Sequence, residues 1–245
     1  MKIAYGYGTS ETEAPIMGIK GPEHEVFPKL KTMGYDGVEL WVRNPRNLDK
    51  GALAKRLRQY GLEVAAVGTG PVASEDGLTL TAADDEVRSA AVERLKEIVE
   101  FASLFGCPVL VGKARGEVNP QSPHRSLGWM AEGLDSICRH AEKHGISICL
   151  EPQNRKAINN LNTASDTLRF IASLRLPNLC LMLDLYHMHA ENEPFRETFI
   201  HAQDRLRYLH VSDSTRGSPG TGMFDFAEII RSLREIGYSG YLSFE

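Results

Sequence analysis

The chain has 245 residues, 42% of them hydrophobic and 24% charged, with a net charge of −4 at pH 7. That length suits one barrel-sized domain of ~250 residues, or two small ones, and supplies enough apolar material for a large core. Acidic and basic residues are mixed along the chain, so no basic block supports nucleic-acid binding, and no run reaches the ~18 apolar residues of a membrane helix.

The run KIAYGY (2–7) predicts a strand at the start, with no signal-peptide stretch before it. GVELW (37–41) is the second run. It is followed by 48–61, whose apolar spacing predicts a helix between Asp49 as N-cap and Gly61 as terminator. EVAAV (63–67) leads to a long helix over 84–106, with Val87, Ala91, Leu95, Ile98, Val99 and Ala102 on one stripe and Gly106 at its end. PVLVG (108–112) precedes a helix over 126–145 that stops at Gly145. ISICLE (146–151) is followed by a helix over 163–174 capped by Thr163. LCLMLD (179–184) and RYLHV (207–211) come next. A last helix over 224–237, between Asp225 and Gly237, leads into YLSFE (241–245). Cys107, Cys138, Cys149 and Cys180 are isolated in apolar surroundings without a CxxC pair, which reads as a reduced, cytoplasmic protein.

Several of the eight runs are apolar on successive residues, as strands buried on both faces are. Their alternation with helices implies an α/β fold built from βα units. No GxGxxG follows the first strand, which weakens an open dinucleotide-binding sheet. No linker divides the chain. The expectation is one domain over 1–245, a (β/α)₈ TIM barrel that lacks the usual final helix. A trimmed sequence, or a neighbouring subunit over the seam, would account for that. The second option implies a homo-oligomer, a dimer or tetramer.

Four polar residues close or nearly close strands 5 to 8: Glu151, Asp184, His210 and Glu245. Adjacent strands lie ~4.8 Å apart, so inward side chains at one level can reach one ion. Each alone has a bland role as a cap or loop residue. Three carboxylates and an imidazole together at an apolar barrel mouth would repel one another without a cation. The mostly oxygen donor set suits one divalent metal, Mn²⁺ first, with Co²⁺, Mg²⁺ or Zn²⁺ as alternatives. Tyr7, Trp41, Thr69, Lys113 and Arg115 stand near the ends of strands 1 to 4 as candidate pocket residues. Lys113, Arg115, Arg155 and Arg216 would make the mouth basic and suit an anionic sugar derivative.

The motifs LEPQNR, LDLYHMHAE, HVSDSTRGSPGTG, GYLSFE and GYDGVELW resemble those of the xylose isomerase-like barrel superfamily. Within it they are similar to the sugar-phosphate isomerase/epimerase branch that holds the D-tagatose and D-psicose 3-epimerases. The resemblance covers essentially the whole chain. It implies that Glu151, Asp184, His210 and Glu245 are metal ligands and that Glu151 and Glu245 are also the acid/base pair. It further implies that His187 and Arg216 bind substrate oxygens. The implied chemistry is proton transfer through an enediolate, with the metal as Lewis acid. The family pattern after strand 5 reads roughly EPLNRYE, whereas this chain has EPQNRKA. Ala157 stands in place of a substrate-contacting glutamate and Lys156 in place of an aromatic.

The leading expectation is a metal-dependent sugar isomerase or epimerase that takes a small-molecule sugar and neither nucleic acid nor membrane. The alternative is a dehydratase resembling inosose or dehydroshikimate dehydratase, which shares the first proton abstraction. An apurinic endonuclease resembling endonuclease IV would need further histidines at strand ends 1 to 4. A non-catalytic sugar-binding barrel would not need two opposed glutamates.

Overall fold

The computed structural model describes all residues, Met1–Glu245. Eight parallel strands close into a barrel in sequence order: β1 (Lys2–Gly8), β2 (Gly37–Trp41), β3 (Glu63–Gly68), β4 (Val109–Val111), β5 (Ile148–Leu150), β6 (Leu179–Asp184), β7 (Leu206–Val211) and β8 (Tyr241–Phe244). β8 pairs with β1, Lys2 with Tyr241 through Tyr5 with Phe244, so the ring of hydrogen bonds is complete. Parallel neighbours need a crossover each, and helices supply it. They are α1 (Glu23–Thr32), α2 (Lys50–Tyr60), α3 (Gly70–Ser74), α4 (Asp85–Ser103), α5 (Pro123–Lys143), α6 (Ala164–Leu174), α7 (Leu185–Ala190), α8 (Phe195–Ala202) and α9 (Phe226–Glu235). No helix is long and apolar enough to cross a membrane.

The expected helix boundaries have visible causes. Asp49, Thr163 and Asp225 each accept a hydrogen bond from a first-turn backbone N–H, at 2.9, 3.1 and 3.0 Å, a cap worth ~1 kcal/mol. Gly61, Gly106, Gly145 and Gly237 all have φ between 65° and 69°, the left-handed region that ends a helix cheaply only at glycine. The sequence pattern did not single out α1, which carries Pro28 inside it, or the short α3, α7 and α8.

Two apolar layers result. A large one fills the space between the strands and the helices. A small one lies inside the barrel and consists of Ala4, Ala65, Ala66, Leu110, Cys149, Cys180, Met182 and Tyr208. All four cysteines are free and buried.

The inner layer fixes which residues reach the mouth. Side chains alternate along a strand, so a residue two positions past an interior one points inward again. Cys149 is followed by Glu151, Met182 by Asp184, and Tyr208 by His210. Asp184 pairs with His210, and His210 with Ser243, two residues before Glu245. The C-terminal ends of β5 to β8 therefore bring the four predicted ligands to one level.

Candidate active site

Glu151, Asp184, His210 and Glu245 come together, with side chains between 0 and 7% exposed. His210 is the pivot. Its Nδ1 lies 3.1 Å from Glu245 Oε1 and 3.8 Å from Glu151 Oε1. This nitrogen is buried and makes no aligned hydrogen bond. Its Nε2 donates to Glu39 Oε2 at 2.8 Å. A histidine held by a carboxylate on one nitrogen while the other faces carboxylates has the arrangement of a metal ligand. Two donors on one ion at ~2.1 Å and a right angle lie ~3 Å apart, close to the Nδ1–Glu245 separation. Asp184, His210 and Glu245 each offer an atom within 4.8 Å of the others, as do Glu151, Asp184 and His187, so a hard or intermediate divalent ion fits beside the shared Asp184.

Glu39 had no assigned role in the sequence reading. It accepts from Tyr208 and Ser243 as well, at 3.1 and 2.8 Å. A glutamate in the middle of the buried run GVELW was the available signal. Gln153 was also missed. Its Nε2 donates to Glu151 Oε2 at 2.8 Å, leaving Oε1 for the centre. Glycines at the ends of the neighbouring strands make the room. A Cβ at Gly112 would collide with Glu151 Oε2, and one at Gly68 would sit 3.0 Å from Glu39 Oε1.

His187 lies in the first turn of α7, whose N-terminus is capped by Asp184 through the Tyr186 N–H at 2.7 Å. Its Nε2 is 3.7 Å from Asp184 Oδ2 and 4.0 Å from Glu151 Oε1. Its Nδ1 accepts from the Asn154 backbone N–H at 3.3 Å, so the neutral ring presents an N–H to the carboxylates. Burial pushes His187 down to about 4, which keeps it neutral at neutral pH. Arg216, at φ 62°, bridges Asp184 Oδ2 at 3.0 Å and Glu245 Oε1, and stacks on the Tyr186 ring at 4.8 Å. Asp213 neither touches His210 nor reaches the centre. It accepts the Ser214, Gly220 and Phe224 N–H groups and so shapes the Arg216 loop.

The two glutamates titrate in opposite directions. Burial raises Glu151 to about 8, and the neighbouring Asp184 and Glu245 add to this. Burial also works against ionisation of Glu245, but His210 and Arg216 outweigh it and hold that carboxyl low. Burial likewise opposes a charge on His210, yet Glu245 and Glu39 raise it well above its ordinary value.

The centre opens into a cavity of about 240 Å³ at the C-terminal end of the barrel, where barrel enzymes place their chemistry. Trp41, Thr69, Lys113 and Ala157 line it, together with His187 and Arg216. Trp41 Nε1 and Gln153 Oε1 are buried there without a partner. Lys113 stands exposed at the rim and makes no ion pair. A larger cavity of about 430 Å³ lies at the other end, beside Glu63, Arg207 and Tyr241, and has no comparable donor set.

Two expected pocket residues lie elsewhere. Tyr7 does not face the cavity. Ala4 points inward, so alternation sends Tyr7 outward, where its ring meets Phe27 at 4.9 Å and its hydroxyl donates to the Gly21 carbonyl at 2.8 Å. Arg115 is fully buried below the mouth. It donates to the backbone oxygens of Glu151 at 2.5 Å and Asn160 at 3.2 Å, and so braces the strand that carries Glu151. Arg155 is also withdrawn from the mouth, paired with Glu191.

Residues 27–245 match the family described as xylose isomerase-like TIM barrel. An L-ribulose 3-epimerase of Mesorhizobium japonicum is 34% identical over 216 residues, covering 86% of this chain and 71% of its own. An L-ribulose 3-epimerase of Methylomonas sp. is 32% identical, covering 86% and 74%. A solved L-ribulose 3-epimerase structure superposes with a TM-score of 0.84 at 28% identity, over 100% of this chain and 80% of that one. With the fold, the ligand-like quartet and this similarity in agreement, the chain belongs to the xylose isomerase-like TIM barrel family.

Proposed function

We propose that the protein is a divalent-metal-dependent ketose 3-epimerase that moves a proton between Glu151 and Glu245 through an enediolate. The observation that carries this reading is the buried, unpartnered His210 Nδ1, flanked by Glu245 at 3.1 Å and Glu151 at 3.8 Å and backed by Glu39. The ketose 3-epimerase relatives support the substrate class.

Glu151, Asp184, His210 and Glu245 would hold the ion. When bound, it would supply Lewis-acid stabilisation of negative charge on the substrate carbonyl and its neighbouring hydroxyl. Mn²⁺ suits the three carboxylates and one imidazole best. Glu151 and Glu245 approach from β5 and β8, on different sides of the mouth. One removes the proton beside the carbonyl from one face and the other returns a proton to the opposite face, which is epimerisation. The His187 Nε2–H and the Arg216 guanidinium donate to substrate oxygens, and Trp41 Nε1 and Gln153 Oε1 offer hydrogen bonds to hydroxyls further along. Ala157 removes a carboxylate from the wall, so substrate choice beyond the reacting carbons differs from the family pattern. The lack of histidines at strand ends 1 to 4 gives the endonuclease reading no support.

The test is metal analysis of the purified protein, then incubation with a ketose panel in deuterated water. Solvent deuterium should enter at the carbon beside the carbonyl, with unchanged product mass otherwise. A protein without bound metal, or a product lighter by one water, would overturn the reading.

A further inference from the structure

The C-terminal ends of the two longest helices carry a cluster unrelated to the barrel mouth. Glu100 is in the last turn of α4, and His140 and His144 are four residues apart at the end of α5. One ligand atom from each lies within 4.8 Å of the others. Helices run back against the strands they connect, so this cluster is at the end of the barrel opposite Glu151 and Glu245.

Histidines in the last helical turn suit the helix dipole, and that alone would explain two of the three residues. It does not explain how they are arranged with Glu100. His140 Nε2 lies 3.2 Å from Glu100 Oε1, and yet this buried nitrogen makes no aligned hydrogen bond. Two donors on one tetrahedral zinc at ~2.05 Å lie ~3.3 Å apart, close to that separation. Two imidazoles on the same ion have ring centres ~5 Å apart, and the His140 and His144 rings are 4.9 Å apart, tilted by 44°. Positions i and i+4 share a helix face, so both rings point the same way. Glu100 is 55% exposed and His140 24%, which leaves a fourth position open to water.

We propose that Glu100, His140 and His144 form a second metal site, a two-histidine, one-carboxylate clip for Zn²⁺ or another late transition ion. The clip ties α4 to α5. Two imidazoles and one carboxylate select Zn²⁺, Ni²⁺ or Cu²⁺ over Mn²⁺ or Mg²⁺, the reverse of the oxygen-rich centre at the mouth. Binding takes an unprotonated nitrogen from each imidazole, as any histidine metal site does.

The test counts zinc. The untagged full-length chain, stripped with chelator, is loaded with Zn²⁺, passed through gel filtration and analysed for zinc per chain. His144→Gln and His140→Ala should each lower the count by one equivalent relative to the parent, whatever the barrel mouth retains. Glu100→Gln should weaken retention of that same equivalent. The parent should also bind a Ni²⁺-charged chelate resin, and His144→Gln should not. Thermal melts of the zinc-free variants establish that they fold, since these side chains lie at the surface. Equal counts in parent and both histidine variants would overturn the proposal. Failure of the ketose reaction would leave it untouched.

Discussion

The two halves of the barrel mouth are built differently. The ends of β5 to β8 carry charged groups held by dense contacts: Glu151 by Gln153, Asp184 by the start of α7, and Glu245 by Arg216. The ends of β1 to β4 carry Gly68, Gly112, Trp41, Thr69 and Lys113, with unpartnered polar atoms and an unpaired cation. The first half is preorganised for chemistry, and the second is a wall with spare hydrogen-bonding capacity. A fold that keeps one reaction and changes its substrate can confine variation to such a wall. Glu39 is the exception, a residue of the wall side that serves the other half.

The largest effect that would break this division is loss of a glutamate. Glu245→Gln should reduce deuterium exchange by ~10²–10⁴-fold, the range for removing a general base. Exchange within a few-fold of the parent would deny Glu245 a catalytic role. Glu39→Gln should come next. It keeps the shape and removes the negative partner of His210 Nε2, so Mn²⁺ affinity should fall ~10–100-fold. Calorimetric titration reads this directly, and an unchanged dissociation constant would confine Glu39 to packing.

Proton linkage sharpens the comparison at smaller scale. Without an ion, Glu151 keeps its proton up to about pH 8, and His210 is held charged between Glu245 and Glu39. An ion takes the deprotonated forms, so binding should release at least one proton and tighten as pH rises from 6 to 8, by roughly tenfold per proton per unit. Titrations in buffers of different ionisation heat measure the release, and none at pH 7 would contradict the assignment. The smallest effect separates true wall residues from their neighbours. Trp41→Ala should raise KM several-fold with kcat better preserved. Tyr7→Phe should leave both unchanged and cost ~1 kcal/mol in stability for the lost bond to Gly21. A KM change in Tyr7→Phe would return that residue to the pocket.

How much of this was legible in the sequence depended on the range of the signal. The caps Asp49, Thr163 and Asp225 and the terminators Gly61 to Gly237 are local, and each acts where its residue type implied. The quartet of three carboxylates and one histidine was legible because burial makes ionisable residues rare inside apolar runs. Tyr7 was misplaced although the two-residue alternation from Ala4 already sends it outward. Nearness to a strand end does not bring a side chain into the lumen, whereas its parity along the strand decides which face it takes.

The sequence by itself determined the alternation of strands and helices and the four strand-end residues that meet at the mouth, and those four on consecutive strand ends favour a closed barrel over an open sheet that would share the same alternation. These follow from periodicity and from which side chains water must be kept from. Only the tertiary structure decided that Glu39 supports His210 across 171 residues of chain, that Arg216 bridges Asp184 and Glu245, and that Lys113 is left unpaired. Such contacts form when ring closure brings distant strands face to face across the lumen, and no local pattern encodes which partners then meet.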